Sequence, residues 1–299
     1  MALLEALTHS SYKGPLANIS YERLEFLGDA VLDYLISRRL YAHTPELPHT
    51  KMHSIRTAMA NAAFLSFSMF ESTIEEARIL PPDLRPETHH RSLWQFLRSD
   101  APALVANRDV AIAQYDAVKE RLRHCLRSEA VFPWHVLAEM DAPKFLSDIV
   151  ESVIGAIYVD SQGDFGACEV FLEKVGIIGC LERILGDGVD CLHPKERLGI
   201  LAVERNVQYV RVLDKDVEGT VGAGKNYSCR VRVGGKDVGG VVHGVKRLNA
   251  ETIAAWEACR VLEGAGRGSP DVSMGEADRH SEGDDEWFDA EEGSVALAG

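Results

Sequence analysis

Over the first 80 residues apolar positions recur at helical spacing, and the pattern predicts one helix after another. Residues 21–40 have the length and apolar density of a buried helix, with Pro45 and Pro48 in the loop beyond it. A second helical run is expected over about 50–70. Pro81-Pro82, Pro86 and His89-His90 then mark a break. Residues 92–139 predict two or three amphipathic helices that carry Trp94, Tyr115 and Trp134. Further helices are expected at about 144–160, closed by Gly163, and at about 166–185. After Gly186-Asp-Gly188 the periodicity changes. A short helix at 194–204 precedes strand-like alternation at 207–213 and 227–233. Gly234-Gly235 turns the chain into a third strand at 236–243, and 250–262 is helical again. The expected fold is mainly α, followed by a small α+β module of order α-β-β-β-α. The expected extents are 1–187 for the first domain, with a helical insertion at about 81–142, and 193–263 for the second.

Composition changes this picture mainly at the C-terminus. Residues 264–299 hold ten Asp/Glu against two Arg and little apolar content, which predicts a disordered acidic tail; Trp287-Phe288 within it is a candidate docking motif. The net charge of −14 is therefore uneven: −9 over 1–192, +3 over 193–263 and −8 over the tail. An acidic first domain is compatible with a nucleic-acid substrate when its carboxylates hold divalent cations, because bound cations invert the local field. No stretch approaches the ~18 apolar residues of a membrane span, and no charged-then-apolar leader opens the chain. Six cysteines without CxxC pairing suit reduced thiols, in the cytoplasm or nucleus rather than outside the cell. Cys191, His193, Cys229, His243 and Cys259 are a conceivable zinc set, but they lack the tight pairs of ordinary zinc modules.

The candidate chemistry lies on two of the expected helices. At ~100° per residue, Glu22, Glu25, Asp29 and Asp33 fall within one sector about 80° wide. The rest of that helix carries Leu24, Leu27, Ala30, Val31, Leu35 and Ile36. Carboxylates on so apolar a helix are costly unless they are paired or bound to metal. The second helix repeats the arrangement: Asp148 and Glu151 share a face with Ser152 and Gly155, small residues that permit close approach of another helix. Carboxylate-held Mg²⁺ activates water and clamps the oxygens of a phosphodiester, which makes such a cluster a hydrolytic centre in prospect. Taken alone, either pair is equally well read as an acidic stripe facing solvent.

Glu22-Arg-Leu-Glu-Phe-Leu-Gly-Asp-Ala-Val-Leu-Asp33 resembles the signature of the ribonuclease III family. Three further segments resemble family motifs in order: Glu5-Ala-Leu-Thr-His-Ser-Ser-Tyr12, with Ser10 where proline is usual; Ile55-Arg-Thr-Ala-Met-Ala-Asn61; and the run from Pro143 to Tyr158. The resemblance covers about residues 2–263. It implies hydrolysis of double-stranded RNA to 5′-phosphate and 3′-hydroxyl ends, with Mg²⁺ as cofactor and Mn²⁺ as a substitute. It makes Glu25, Asp29, Asp148 and Glu151 the metal ligands. Lys144 is implied beside the reaction, Glu22 as a supporting or dimer-contact residue, and Asn61 behind the metal ligands. Asp33 takes no catalytic role. Since each family domain cuts one strand, a homodimer or a second ribonuclease III domain is the implied partner.

The long stretch 81–142, with Leu93-Trp-Gln-Phe96 and Phe132-Pro-Trp134, resembles the second ribonuclease III domain of Dicer-like proteins of filamentous fungi, particularly those of type two. His193-Pro-Lys195 fits as well. By that resemblance the chain is expected to be a C-terminal piece, with the opening helix of the domain cropped. The second domain resembles a double-stranded-RNA-binding domain, which reads A-form shape through phosphates and 2′-hydroxyls. Lys195, Lys246 and Arg247 are its implied RNA contacts. Leu248 and Glu251, however, stand where the family carries basic residues, which implies a weak RNA binder or a structural module. The rival to a nuclease is a catalytically silent RNA-binding or assembly protein of the same fold.

Overall fold

A computed structural model of the chain describes residues 1–15, 18–80, 85–203, 205–212 and 227–266. The first region runs α1 (Ala2–Ala6), α2 (Glu22–Tyr41), α3 (His49–Met59), α4 (Ala62–Glu71), β1 (Thr73–Leu80), β2 (Arg85–Ser92) and a 3-10 turn (Leu93–Phe96). It continues through α5 (Pro102–Ser128), α6 (Trp134–Met140), α7 (Phe145–Asp160), α8 (Phe165–Lys174) and α9 (Ile177–Asp187). The second comprises α10 (Pro194–Ala202), β3 (Val207–Val212), β4 (Tyr227–Val233), β5 (Lys236–Gly244) and α11 (Arg247–Gly266). This is the expected order of a mainly helical domain followed by an α+β module.

The centre of the first region is the α2–α7 pair. Leu24, Val31, Leu32, Leu35 and Ile36 of α2 and Ile149, Val150, Val153 and Ile154 of α7 belong to one buried core. Each such side chain contributes ~1.5–3 kcal/mol by leaving water. Two glycines set the spacing. A Cβ on Gly28 would lie 1.7 Å from the carbonyl oxygen of Glu151, and one on Gly155 would lie 2.1 Å from that of Leu24. The two backbones are thus in direct contact, and no larger residue fits at either position. Gly155 permits the close approach expected of it. Ser152 faces elsewhere: its hydroxyl donates to the carbonyl of Ala6 at 2.9 Å and ties α7 to α1.

Three expectations need correction. The run 50–70 is two helices, because Asn61 leaves the helical conformation and caps α4, accepting from the backbone N–H groups of Ala63 (2.9 Å) and Phe64 (3.3 Å). The run 166–185 is likewise divided, at Gly176, whose φ of 79° no continuing helix permits. The span expected to be a helical insertion opens instead as an antiparallel hairpin, in register from Thr73↔Ser92 to Leu80↔Arg85. In a two-stranded ribbon both strands are edges, where proline is tolerated, so Pro86, read as part of a break, sits within β2, while Pro81-Pro82 lie outside the described residues. Beyond the hairpin, the 3-10 turn with Trp94, the 27-residue α5 with Tyr115 and the short α6 with Trp134 match the two or three helices expected over 92–139.

The three strands of the second region form one antiparallel sheet in the order β3-β4-β5. Gly234 and Gly235, with φ of 57° and 80°, make the expected turn, in which both central residues need positive φ. Leu198, Cys229, Val231, Ala254, Ala255 and Cys259 are among its core, separate from the first core, which extends to Val189 and Cys191. The two regions meet where α11 packs on α6. There the His135 ring stacks on Trp256, with centroids 4.2 Å apart and planes at 6°. Asn249 also donates to the Asp141 carboxylate at 2.6 Å. Most of the acidic tail, including Trp287-Phe288, lies outside the described residues.

Candidate metal centre

The backbone contact at Gly28 and Gly155 decides which acids meet. Glu25 lies on the first turn of α2, Asp148 on the first turn of α7 and Glu151 on the next. Ligand oxygens of these three residues all lie within 4.8 Å of one another. Among the described residues this is the one group of three His, Cys, Asp or Glu side chains so placed. Asp148 is buried, at 5% exposure.

Such crowding has an electrostatic signature. Burial, followed by the charges of Asp29, Asp148 and Glu25, pushes the Glu151 carboxyl up to about 8. Asp148 is raised by burial and by Glu25, and Asp29 by burial and by Asp33 and Glu25. Lys144 compensates in part: its ammonium lies 2.7 Å from Glu25 Oε1 and 3.3 Å from Asp148 Oδ1. Three converging oxygen donors with an excess of negative charge fit a hard divalent cation.

The other implied residues are distributed around this group. Asp29 is exposed and stands outside the three, although its charge is the largest of those acting on Glu151. Glu22 is exposed and accepts from the Ser20 hydroxyl at 3.2 Å. Asp33 pairs with Arg56 of α3 at 3.6 Å. Asn61 uses its carbonyl oxygen as the α4 cap. One residue was missed by sequence reasoning: Tyr21, just before α2 and 5% exposed, donates its phenol to Asp148 Oδ2 at 3.2 Å. Its position flanking the signature motif was the only available clue, since a tyrosine before a buried helix reads as core.

In the second region, the implied RNA contacts are engaged within the chain. Lys195 Nζ lies 2.8 Å from Glu251 Oε2, and Arg247 Nε lies 2.6 Å from Glu251 Oε1. Lys246 Nζ lies 3.2 Å from Asp141 Oδ1. The five conceivable zinc ligands do not converge. His193 caps α10, His243 bonds the Ser228 hydroxyl at 2.9 Å, and the cysteines divide between the two cores. All six cysteines are free thiols. Among the described residues, no helix is long and apolar enough to cross a membrane.

The ribonuclease III domain profile matches residues 22–162, which carry all four implied carboxylates, so the chain carries a ribonuclease III domain. Residues 187–298 match the profile of the dsRNA-binding domain of Dicer-like protein 2. Dicer-like protein 2 of Phaeosphaeria nodorum is 59% identical over 261 residues, 87% of this chain and 18% of that protein. Dicer-like protein 2 of Coccidioides immitis is 39% identical over 269 residues, 87% of this chain and 18% of that protein. Dicer-like protein 2-1 of Aspergillus niger is 38% identical over 274 residues, 88% of this chain and 20% of that protein. The resemblance to fungal Dicer-like proteins is thus borne out, and the chain spans about a fifth of the length of these relatives.

Proposed function

We propose that this chain is an endoribonuclease that hydrolyses double-stranded RNA at Glu25, Asp29, Asp148 and Glu151, with Mg²⁺ as cofactor and Mn²⁺ as substitute. The observation that carries the reading is the convergence of Glu25, Asp148 and Glu151 within 4.8 Å at the α2–α7 crossing. A bound cation supplies there an acidified water and charge stabilisation for the phosphodiester. Glu25 and Glu151, each half-buried, offer their oxygens toward the buried Asp148. Lys144 spans Glu25 and Asp148, reducing their mutual repulsion. Asp29 lends charge from the edge of the group. As one such centre cuts one strand, staggered double-strand cutting needs a homodimer or a second ribonuclease III domain.

The test is cleavage of end-labelled duplex RNA by the purified chain in Mg²⁺ or EDTA. Cleavage is expected in Mg²⁺ alone, leaving 5′-phosphates, and is abolished by Glu25→Gln or Asp148→Asn. Undiminished cleavage by either variant would overturn the assignment. The engagement of Lys195, Lys246 and Arg247 by acids favours a second reading for the α10–α11 module alone. In that reading the module braces the nuclease domain through α6 and contributes little affinity for RNA. Deleting residues 193–299 would then lower thermal stability more than RNA binding.

A further inference from the structure

The buried partner of Asp148 comes from a part of the chain that the metal site does not otherwise use. Asp148 Oδ1 faces the Lys144 ammonium, while Oδ2 accepts from the Tyr21 phenol at 3.2 Å. The two oxygens thus have different partners, and the carboxylate plane is held from its buried side. The phenol fixes Oδ2, while Oδ1 takes the Ser147 hydroxyl at 3.4 Å as well as the Lys144 ammonium. Metal-ligating carboxylates depend on outer partners of this type for their orientation.

Tyr21 is itself held on several sides. Its backbone N–H donates to the carbonyl of Thr8 at 2.9 Å, and its ring meets the His9 ring edge-on with centroids 5.6 Å apart. Residues 7–15, which supply Thr8 and His9, are stitched to residues 98–100, immediately after the hairpin and the 3-10 turn. The His9 N–H donates to Arg98 O at 2.9 Å, and the Arg98 N–H donates to Leu7 O at 2.8 Å. The Arg98 guanidinium bonds Pro15 O at 2.8 Å and lies 4.0 Å from the centroid of the Tyr12 ring. The hydroxyls of Ser11 and Ser99 are 2.9 Å apart, and the Lys13 N–H donates to Asp100 at 2.7 Å. His9 Nδ1 in turn bonds the Ser11 hydroxyl at 2.8 Å, which links the ring beside Tyr21 to this seam.

We infer that Tyr21 is a positioning residue for Asp148, braced through residues 7–15 by residues 98–100. The inference rests on the metal-site reading above and adds the device that orients one of its ligands. It also gives the hairpin-bearing stretch a role at the site: its far end keeps Tyr21 against α7.

Mn²⁺ binding by the full chain, followed by loss of the free-ion electron paramagnetic resonance signal, reads this without reference to cleavage. Tyr21→Phe keeps the ring and removes only the donor. It is expected to raise the Mn²⁺ dissociation constant about tenfold while leaving the melting temperature in EDTA nearly unchanged. Asp148→Asn, as control, is expected to lose binding. Ser99→Ala loosens the brace without touching Tyr21 or a ligand and is expected to weaken binding a few-fold, roughly the worth of one hydrogen bond. Wild-type affinity in Tyr21→Phe, with binding lost in Asp148→Asn, overturns the role of Tyr21 and leaves the nuclease reading standing. A lowered melting temperature with unchanged affinity overturns it as well, since it marks a purely structural tyrosine. Absence of Mn²⁺ binding by the wild-type chain overturns both readings. If Tyr21→Phe does not fold, unchanged affinity in Ser99→Ala overturns the inference.

Discussion

At the α2–α7 crossing, Glu25 and Asp148 of the three converging carboxylates share the ammonium of Lys144; at the start of α11, Glu251 alone engages both Lys195 and Arg247. The consequences run in opposite directions. Burial and mutual repulsion raise the Glu151 carboxyl to about 8, whereas the bonds from Arg247 and Lys195 hold Glu251 below its ordinary range despite its burial. One site has more negative charge than the chain can match and suits a cation from outside. The other is closed, and its cations are spent on an internal acid rather than offered to phosphates. Residue type therefore gives little guidance to function here. What matters is whether the chain itself completes the charge balance.

The comparison is broken most severely at the crossing that creates the open site. Gly28→Ala places a methyl 1.7 Å from a backbone oxygen and forces α2 from α7. A stability loss of about 3 kcal/mol or more is expected, together with loss of Mn²⁺ binding, measured by chemical denaturation and metal titration. A folded Gly28→Ala protein of wild-type stability and affinity would show that the contact does not assemble the site.

The closed site is opened by Glu251→Gln, which frees Lys195 and Arg247. Duplex-RNA affinity at low salt is expected to rise about tenfold, and the slope of log affinity against log salt to steepen by ~1–2. Unchanged slope would mean that these cations do not face a phosphate path even when released.

Between the two regions, His135 on α6 is held down to about 4 by burial and by the Arg121 and Arg260 charges. A histidine whose pKa falls on folding contributes stability that is complete above its unfolded value of ~6.5 and is lost as pH falls toward 4. His135→Gln is therefore expected to flatten the decline in melting temperature between pH 6.5 and 4. A decline of the same steepness in the variant would remove His135 as a cause.

The smallest effect is expected from Lys144→Met. In EDTA it leaves the carboxylates without a cation, at a cost of about 1 kcal/mol or less because the lysine is largely solvated. Added Mg²⁺ should restore more melting temperature to this variant than to the wild type. Equal gains in both would argue against charge balance as the link.

Much of this was legible along the chain. The apolar faces of α2 and α7, with acids at fixed spacing, are local patterns, and so are the Gly234-Gly235 turn and the sequence of strands after it. What was misread depended on partners distant in the chain. Strands β1 and β2 exist because two segments pair with each other, and Pro86 within β2 reads as part of a break in any one-dimensional reading. Asn61 and Gly176 divide apolar runs that periodicity alone treats as continuous. Tyr21 is indistinguishable from a core aromatic until Asp148, 127 residues later, is placed beside it.

By itself, the sequence determined that two apolar helices would each carry acids on one face, because side-chain direction on a helix follows from residue spacing alone. It also determined that a small α+β module would follow them. Only the tertiary structure decided that Glu25, Asp148 and Glu151 converge while Asp29 stays at the edge, since that choice depends on where Gly28 and Gly155 let two backbones touch. It likewise decided that Lys195 and Arg247 close on Glu251, a pairing of charges from α10 and α11 that no local pattern specifies.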